Sequence, residues 1–167
     1  PPENRTLLMS WHGQSANGSD VARQAYNITN ETVRLSLLDL AHLPNVSLGG
    51  PNPNYAAILG RSVFCLCPKG ASSYTSRVFE VLFAGCIPVI LSDDVRLPFE
   101  GIVNWSSFSI RWPMKKADMS LYSYLRDLLQ EQPDRVQEMQ EEVSKARCWF
   151  DYHGFEADPM ECSPYVA

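Results

Sequence analysis

The segment from Ser62 to Phe99, SVFCLCPKGASSYTSRVFEVLFAGCIPVILSDDVRLPF, constrains the fold of this 167-residue chain more than any other part. Val63 to Cys67 is a short apolar run rich in strand formers and halted by Pro68 and Gly70, as expected of a parallel strand buried on both faces. Ser72, Ser73, Thr75 and Ser76 offer hydroxyls as N-caps ahead of Val78, Phe79, Val81, Leu82 and Phe83, whose spacing is helical. The pattern predicts a helix that starts near Thr75 and ends at Gly85. A second buried strand, Ile87 to Leu91, opens with Pro88 and leads into the polar loop Ser92, Asp93 and Asp94. Strand, turn, helix and strand in this order form the crossover unit from which parallel sheets are built.

Open α/β sheets bind anions beyond the carboxyl ends of their strands, where a helix N-terminus presents free N–H groups. On that reading the turn at Gly70 and the helix start from Ser73 to Ser76 face a phosphate. Arg77 brings a planar guanidinium suited to bidentate phosphate binding. Glu80, one helical turn on, lies on the same face and can accept hydrogen bonds from a ribose diol. Spacing alone equally allows Arg77 and Glu80 to be a solvated surface ion pair worth about 0.3 kcal/mol.

The remaining elements fit around this unit. Leu7 to Trp11 reads as a first strand with Gly13 in the turn after it. Gly18, Ser19 and Asp20 cap a helix from Val21 to about Asn30, and a further helix spans Leu35 to Leu40. Val46 to Leu48 is a short strand, Pro53 to Gly60 a short helix carrying Tyr55, and Phe108 to Ile110 a strand introduced by Trp105. Two C-terminal helices follow, Ser120 to Glu131 and Asp134 to Cys148. Their apolar positions Leu121, Leu125, Leu128, Val136, Met139 and Val143 recur at helical spacing and predict packing on the sheet. Strands alternating with helices define an α/β fold, a Rossmann-like parallel sheet with helices on both faces.

Several ordered motifs, Ser62 to Gly70, then Ser76-Arg77-x-x-Glu80, Gly85 to Val89, Leu97-Pro98-Phe99 and Trp105, resemble the exostosin-type glycosyltransferases. That family includes plant cell-wall sugar transferases and heparan sulfate polymerases. The match is dense over roughly residues 55 to 112. The resemblance implies a GT-B enzyme, two Rossmann-like halves around a cleft, which moves a sugar from a nucleotide sugar, usually a UDP-sugar, to a glycan or polysaccharide acceptor with inversion. This chain would be the C-terminal, donor-binding half. Two such halves would need about twice its length, so residues 1–167 read as a single domain of a longer protein whose N-terminal half supplies the catalytic base. Family members often follow the first strand with a Gly-rich turn and an arginine on the donor diphosphate; Gly13, Gly18 and Arg23 resemble that set. On a continuous helix Arg23 would share a face with Asn27 and Asn30, where glycans would crowd a nucleotide.

Those asparagines are part of a wider pattern. Six of the eight asparagines, Asn4, Asn17, Asn27, Asn30, Asn45 and Asn104, begin an Asn-x-Ser/Thr triplet, where chance would give roughly one. Asn104 stands beside Trp105, where burial would leave it unmodified. The set points to the secretory pathway. With the resemblance it implies the Golgi or secretory lumen, in a type II membrane protein whose anchor lies upstream; no stretch here approaches the ~18 apolar residues of a span.

Five cysteines leave at least one unpaired within the chain. Cys65 and Cys67 share a strand face and Cys86 leads into the next strand, which reads as core packing. Cys148 and Cys162 are placed to form a disulfide or to remain thiols. A formal charge of −5 argues against nucleic acid as a partner and requires an anionic donor to be held by local cations. Asp93-Asp94 reads as a turn cap, and no set of metal ligands is evident, although a divalent ion can bridge phosphates without one. No other cofactor is implied, the nucleotide sugar being a co-substrate. His12 reads as a turn histidine without a local partner, the alternative being a base. Phe99, Trp105 and Trp112 read as core, the alternative being a nucleoside pocket. Two functional alternatives to the transferase stay open: a non-catalytic partner subunit paired with a second family member, and a nucleotide- or glycan-binding regulatory domain.

Overall fold

The computed structural model describes residues 5–13, 28–70 and 75–151, with the side chains of 28–32 left aside. Five parallel strands form one sheet in the order β2-β1-β3-β4-β5: β1 Leu7–His12, β2 Val46–Gly49, β3 Ser62–Pro68, β4 Ile87–Leu91 and β5 Ile110–Arg111. The helices are α1 Ile28–Leu38, α2 Tyr55–Gly60, α3 Arg77–Phe83, α4 Met119–Glu131 and α5 Pro133–Ala146. The chain moves outward from β1 to β2, then crosses back to β3. With right-handed crossovers this puts α1 on one face of the sheet and α2 and α3 on the other.

Every residue of β3 and β4 is buried, which is why both read as unbroken apolar runs rather than as alternating strands. Phe64 pairs with Ile87 and the register continues to Pro68 opposite Leu91. Side chains such as Phe64, Leu66, Ile87 and Leu91 are wholly excluded from solvent, each worth about 2 kcal/mol of transfer free energy. Pro88 is tolerated inside this sheet because β5 joins β4 only from Val89 onward.

The observed elements differ from their sequence readings, most plainly in two helices and one strand. The helix read at 35–40 begins earlier, at Ile28, and ends at Leu38; the helix read from Val21 to about Asn30 lies, up to residue 27, outside the described residues. α3 starts at Arg77 rather than Thr75. Ser76 is in helical backbone geometry and makes no side-chain cap; among the described residues the Thr75 hydroxyl assists, accepting from the Arg77 N–H at 3.4 Å. The last strand is Ile110–Arg111, because a 3-10 turn at Trp105–Ser107 uses the residues before it.

The C-terminal end of α3 is fixed by backbone geometry. Gly85 has φ 68°, its N–H donates to the Leu82 carbonyl at 2.9 Å, and the Cys86 N–H donates to Val81 at 3.1 Å. These two bonds are the Schellman pattern, which glycine adopts without Cβ strain. A Cβ there would also lie 2.9 Å from Nη2 of Arg5. Arg5 ties the amino end of the sheet together by donating to the carbonyls of Leu59, Ser62 and Ala84 at 3.1, 2.7 and 2.9 Å.

In the C-terminal pair, α4 is capped by Asp118, whose carboxylate accepts the Ser120 N–H at 2.8 Å. Pro133 begins α5 at a position that needs no N–H. All six apolar positions expected to pack are buried: Leu121, Leu125, Leu128, Val136, Met139 and Val143. No helix among the described residues is long and apolar enough to cross a membrane.

Cys65 and Cys86 are joined by a disulfide between β3 and the entry to β4. This corrects the reading of both as packing thiols. Among the described residues Cys67 is the buried free thiol, and burial pushes its pKa up to about 12. Cys148 is disulfide-bonded; Cys162 lies outside the described residues.

Candidate functional site

Strand order reverses between β1 and β3, so their carboxyl ends, at His12–Gly13 and Pro68–Gly70, border the crevice where open sheets of this kind hold ligands. Arg77 reaches into that crevice from α3. Its Nη1 donates to the His12 carbonyl at 2.6 Å and to the Tyr55 hydroxyl at 2.7 Å. The guanidinium carbon stands 5.1 Å from the Tyr55 ring and 5.9 Å from the Trp11 ring, within cation–π range of both. Gly13 makes this position possible, since a Cβ there would lie 2.8 Å from Nη2 of Arg77. Half-buried and held from three sides, the guanidinium is oriented before any ligand arrives. No other acceptor among the described residues takes its Nη2 and Nε donors, which are left for an anion.

Glu80 is exposed on the same helix. The ion pairs among the described residues do not include Arg77 with Glu80, so the simple surface pair is not what forms. Tyr55 stands between them. Burial raises its pKa first; Arg77 opposes this, and Glu80 adds to the rise as a charge and as a hydrogen-bond acceptor. The hydroxyl therefore stays protonated. It accepts from the arginine and leaves its own proton for the carboxylate side.

Ser76 is exposed and Gly70 half-buried at the mouth of the crevice. Ser73 and Arg23 lie outside the described residues. A second guanidinium that the sequence reading passed over belongs to Arg34 of α1. Its Nη2 donates to the Lys69 carbonyl at 3.1 Å, and it stands 5.9 Å from the same Trp11 ring that Arg77 faces. Tyr55 and Arg34 were missed because their contacts link residues 22 and 35 positions apart. The available signal was indirect: one tyrosine on a short helix feeding the central strand, and one arginine on the helix nearest the crevice.

His12, read as a turn histidine without a local partner, has two distant ones, Ser47 of β2 and Gly50 just after it. The Gly50 carbonyl can only accept, so Nδ1 donates to it at 3.0 Å, and in the neutral ring Nε2 accepts the Ser47 hydroxyl at 2.9 Å. With both nitrogens engaged, the ring clamps the turn. Asp93 and Asp94 do not cap their own turn. Asp93 accepts the Met114 N–H at 3.1 Å and Asp94 pairs with Lys69 at 3.4 Å. No cluster of metal ligands occurs among the described residues.

The aromatic residues divide. Trp105 is core, its indole N–H donating to the Pro98 carbonyl at 2.8 Å, and Trp112 is half-buried against Tyr124. Phe99, expected in the core, is 47% exposed; its φ of 55° turns it outward toward Trp149 and Phe150. Of the triplet asparagines, Asn45 is exposed. So is Asn104, contrary to expectation, because the 3-10 turn buries its neighbour Trp105 instead. Asn4, Asn17 and Asn27 lie outside the described residues, as does the Asn30 side chain.

The sheet order and the crevice are those of the Rossmann-like half of a GT-B glycosyltransferase. The pneumococcal O-GlcNAc transferase GtfA, solved in complex with UDP and GlcNAc, superposes on 89% of this chain and 33% of its own with a TM-score of 0.52 at 10% identity, a likeness of fold. The exostosin GT47 domain matches residues 1–128, and the chain belongs to that family. A "Probable glucuronosyltransferase" of Oryza sativa subsp. japonica is 45% identical over 58 residues, 35% of this chain and 14% of its own. A "Probable glycosyltransferase" of Arabidopsis thaliana is 33% identical over 92 residues, 55% of this chain and 19% of its own. From the same plant, a "Probable glucuronoxylan glucuronosyltransferase" is 45% identical over 56 residues, 34% and 12%. The matched segments thus span less than a fifth of these relatives' lengths.

Proposed function

We propose that this chain is the donor-binding half of a glycosyltransferase that takes a sugar from a nucleotide sugar of the UDP class and delivers it, with inversion, to a glycan or polysaccharide acceptor. One observation carries the reading: Arg77 is fixed at the strand-order reversal with its Nη2 and Nε donors taken by no acceptor among the described residues. Bond cleavage at the anomeric carbon leaves negative charge on the departing diphosphate. A guanidinium already oriented there stabilises that charge without reorganising, and removing one such donor typically costs ~3 kcal/mol of barrier. Arg34, across the Trp11 ring, adds to the same field. Glu80, exposed beside Tyr55, is the residue assigned to the ribose hydroxyls. Ser76 and Gly70, at the mouth of the crevice, are assigned to the phosphates, together with Ser73 and Arg23.

Inversion needs a base or an oriented acceptor hydroxyl on the face of the sugar opposite the diphosphate. That group belongs to the N-terminal half of the full-length protein. A divalent ion, if used, would be held by the phosphates. The exposed triplet at Asn45 and the disulfide between Cys65 and Cys86 support a secretory, Golgi-lumen setting, since oxidising compartments keep such bonds. The full-length protein screened with UDP-sugars should release UDP and form a glycoside. Arg77→Ala should lower kcat/KM by about a hundredfold or more. Wild-type turnover in that variant removes Arg77 from the donor site.

A further inference from the structure

Beyond the crevice, among the described residues, a cavity of about 460 Å³ opens at the carboxyl ends of β3 and β4. Its walls are Val33 of α1, Lys69 after β3, Asp93 and Asp94 after β4, and Lys115 and Asp118 ahead of α4. The size is that of a small-molecule site, about 300–1,000 Å³. Lys69 connects it to the crevice: its carbonyl receives Arg34, while its ammonium pairs with Asp94 on the cavity side. Adjacent strands lie about 4.8 Å apart, so this cavity is one strand further along the sheet than the place where Arg77 stands. A diphosphate on Arg77 would bring its attached sugar toward it.

The wall chemistry selects among sugars. Asp93 uses Oδ1 on the Met114 N–H, Asp118 uses Oδ1 on Ser120, and Asp94 uses Oδ2 on Lys69. Each carboxylate has a second oxygen, which only accepts and so suits a hydroxyl donor. The lysines supply the complementary donors. Among the described residues, three carboxylates against two ammoniums leave the wall with an excess negative charge. We infer that this cavity is the sugar subsite of the donor and that it selects a neutral hexose or pentose over a uronate. The inference rests on the proposed donor site, and it separates this chain from the glucuronosyl specificity in some relatives' names.

The test uses the full-length protein and calorimetric titration with UDP, UDP-galactose, UDP-xylose and UDP-glucuronate. UDP alone reports the Arg77 site, and each sugar nucleotide is referred to it. UDP-glucuronate should bind about tenfold more weakly than the better neutral donor, because its carboxylate would meet the excess negative charge of the wall. Asp94→Asn, at a side chain 72% exposed and so tolerable to the fold, should narrow that ratio. Equal or tighter binding of UDP-glucuronate, or a ratio unmoved by Asp94→Asn, overturns the subsite. Failure of UDP itself to bind overturns the donor reading and the subsite with it.

Discussion

Tyr55→Phe isolates the hydroxyl that holds Arg77. The substitution keeps the ring, and with it the cation–π contact at 5.1 Å, but removes the acceptor 2.7 Å from Nη1. The bond to the His12 carbonyl at 2.6 Å remains, so the arginine stays in the crevice with one anchor fewer. A hydrogen bond to a charged group contributes about 1.5–3 kcal/mol, and partial exposure of the site places the loss near the lower figure, about 1.5 kcal/mol. At 1.4 kcal/mol per decade this is about a tenfold rise in the Kd for UDP. Denaturant unfolding should show a loss of about 1 kcal/mol or less, since the freed Nη1 hydrogen can reach water. The assay is calorimetric titration of the full-length protein with UDP, beside Arg77→Ala. An unchanged Kd in Tyr55→Phe together with a large effect in Arg77→Ala would mean the hydroxyl contributes nothing to arginine placement. Loss of stability matching the loss of affinity would make Tyr55 a packing residue.

Other perturbations test neighbouring parts of the site. Gly13→Ala puts a methyl 2.8 Å from the flexible end of Arg77, so the guanidinium gives way rather than the backbone. Folding stability should change by less than about 1 kcal/mol while UDP affinity falls severalfold, an outcome read by paired unfolding and titration curves. Cys67, raised from 9.0 to about 12 by burial, should resist iodoacetamide at pH 8 in the native protein and react once unfolded. Its folded-state pKa is the higher one, so its contribution to stability is complete below pH 9 and declines as pH rises from 9 toward 12. Cys67→Ala should flatten that decline in unfolding free energy against pH.

What the sequence revealed and what it hid follow from the range of the interactions. The buried strands β3 and β4, the glycine that ends α3 and the inward faces of α4 and α5 are local patterns of period or composition, and they read directly. Cys65 and Cys86 each looked like a small packing residue. Only the register that sets Cys65 opposite Pro88, two residues past Cys86, brings the sulfurs together. His12 showed no local partner for the same reason, because its partners arrive with β2 and the residue after it, 35 and 38 residues later. Arg77 was legible as a residue type at a helix start. Its placement was not, because the carbonyl that fixes it is 65 residues away.

That placement bears on how a chain of net charge −5 can hold an anionic donor. Long-range attraction to the whole molecule is unfavourable, so the local field must dominate, and it does so only where cations are close and water is partly excluded. Trp11 satisfies both conditions. Its buried ring receives Arg34 and Arg77 at the same 5.9 Å, and each guanidinium is further tied to a backbone carbonyl, Lys69 or His12. Both carbonyls belong to the strand ends that meet at the order reversal, so the topology of the sheet decides where the two positive charges converge. Arg77 is in no ion pair among the described residues. An arriving diphosphate would meet the positive charge of both guanidiniums and gain the donors of Arg77. Affinity at this site should therefore fall with ionic strength even though the protein as a whole is acidic, and the slope should be shallower in Arg34→Ala. A UDP affinity independent of salt would show that neutral donors, and not these charges, hold the diphosphate.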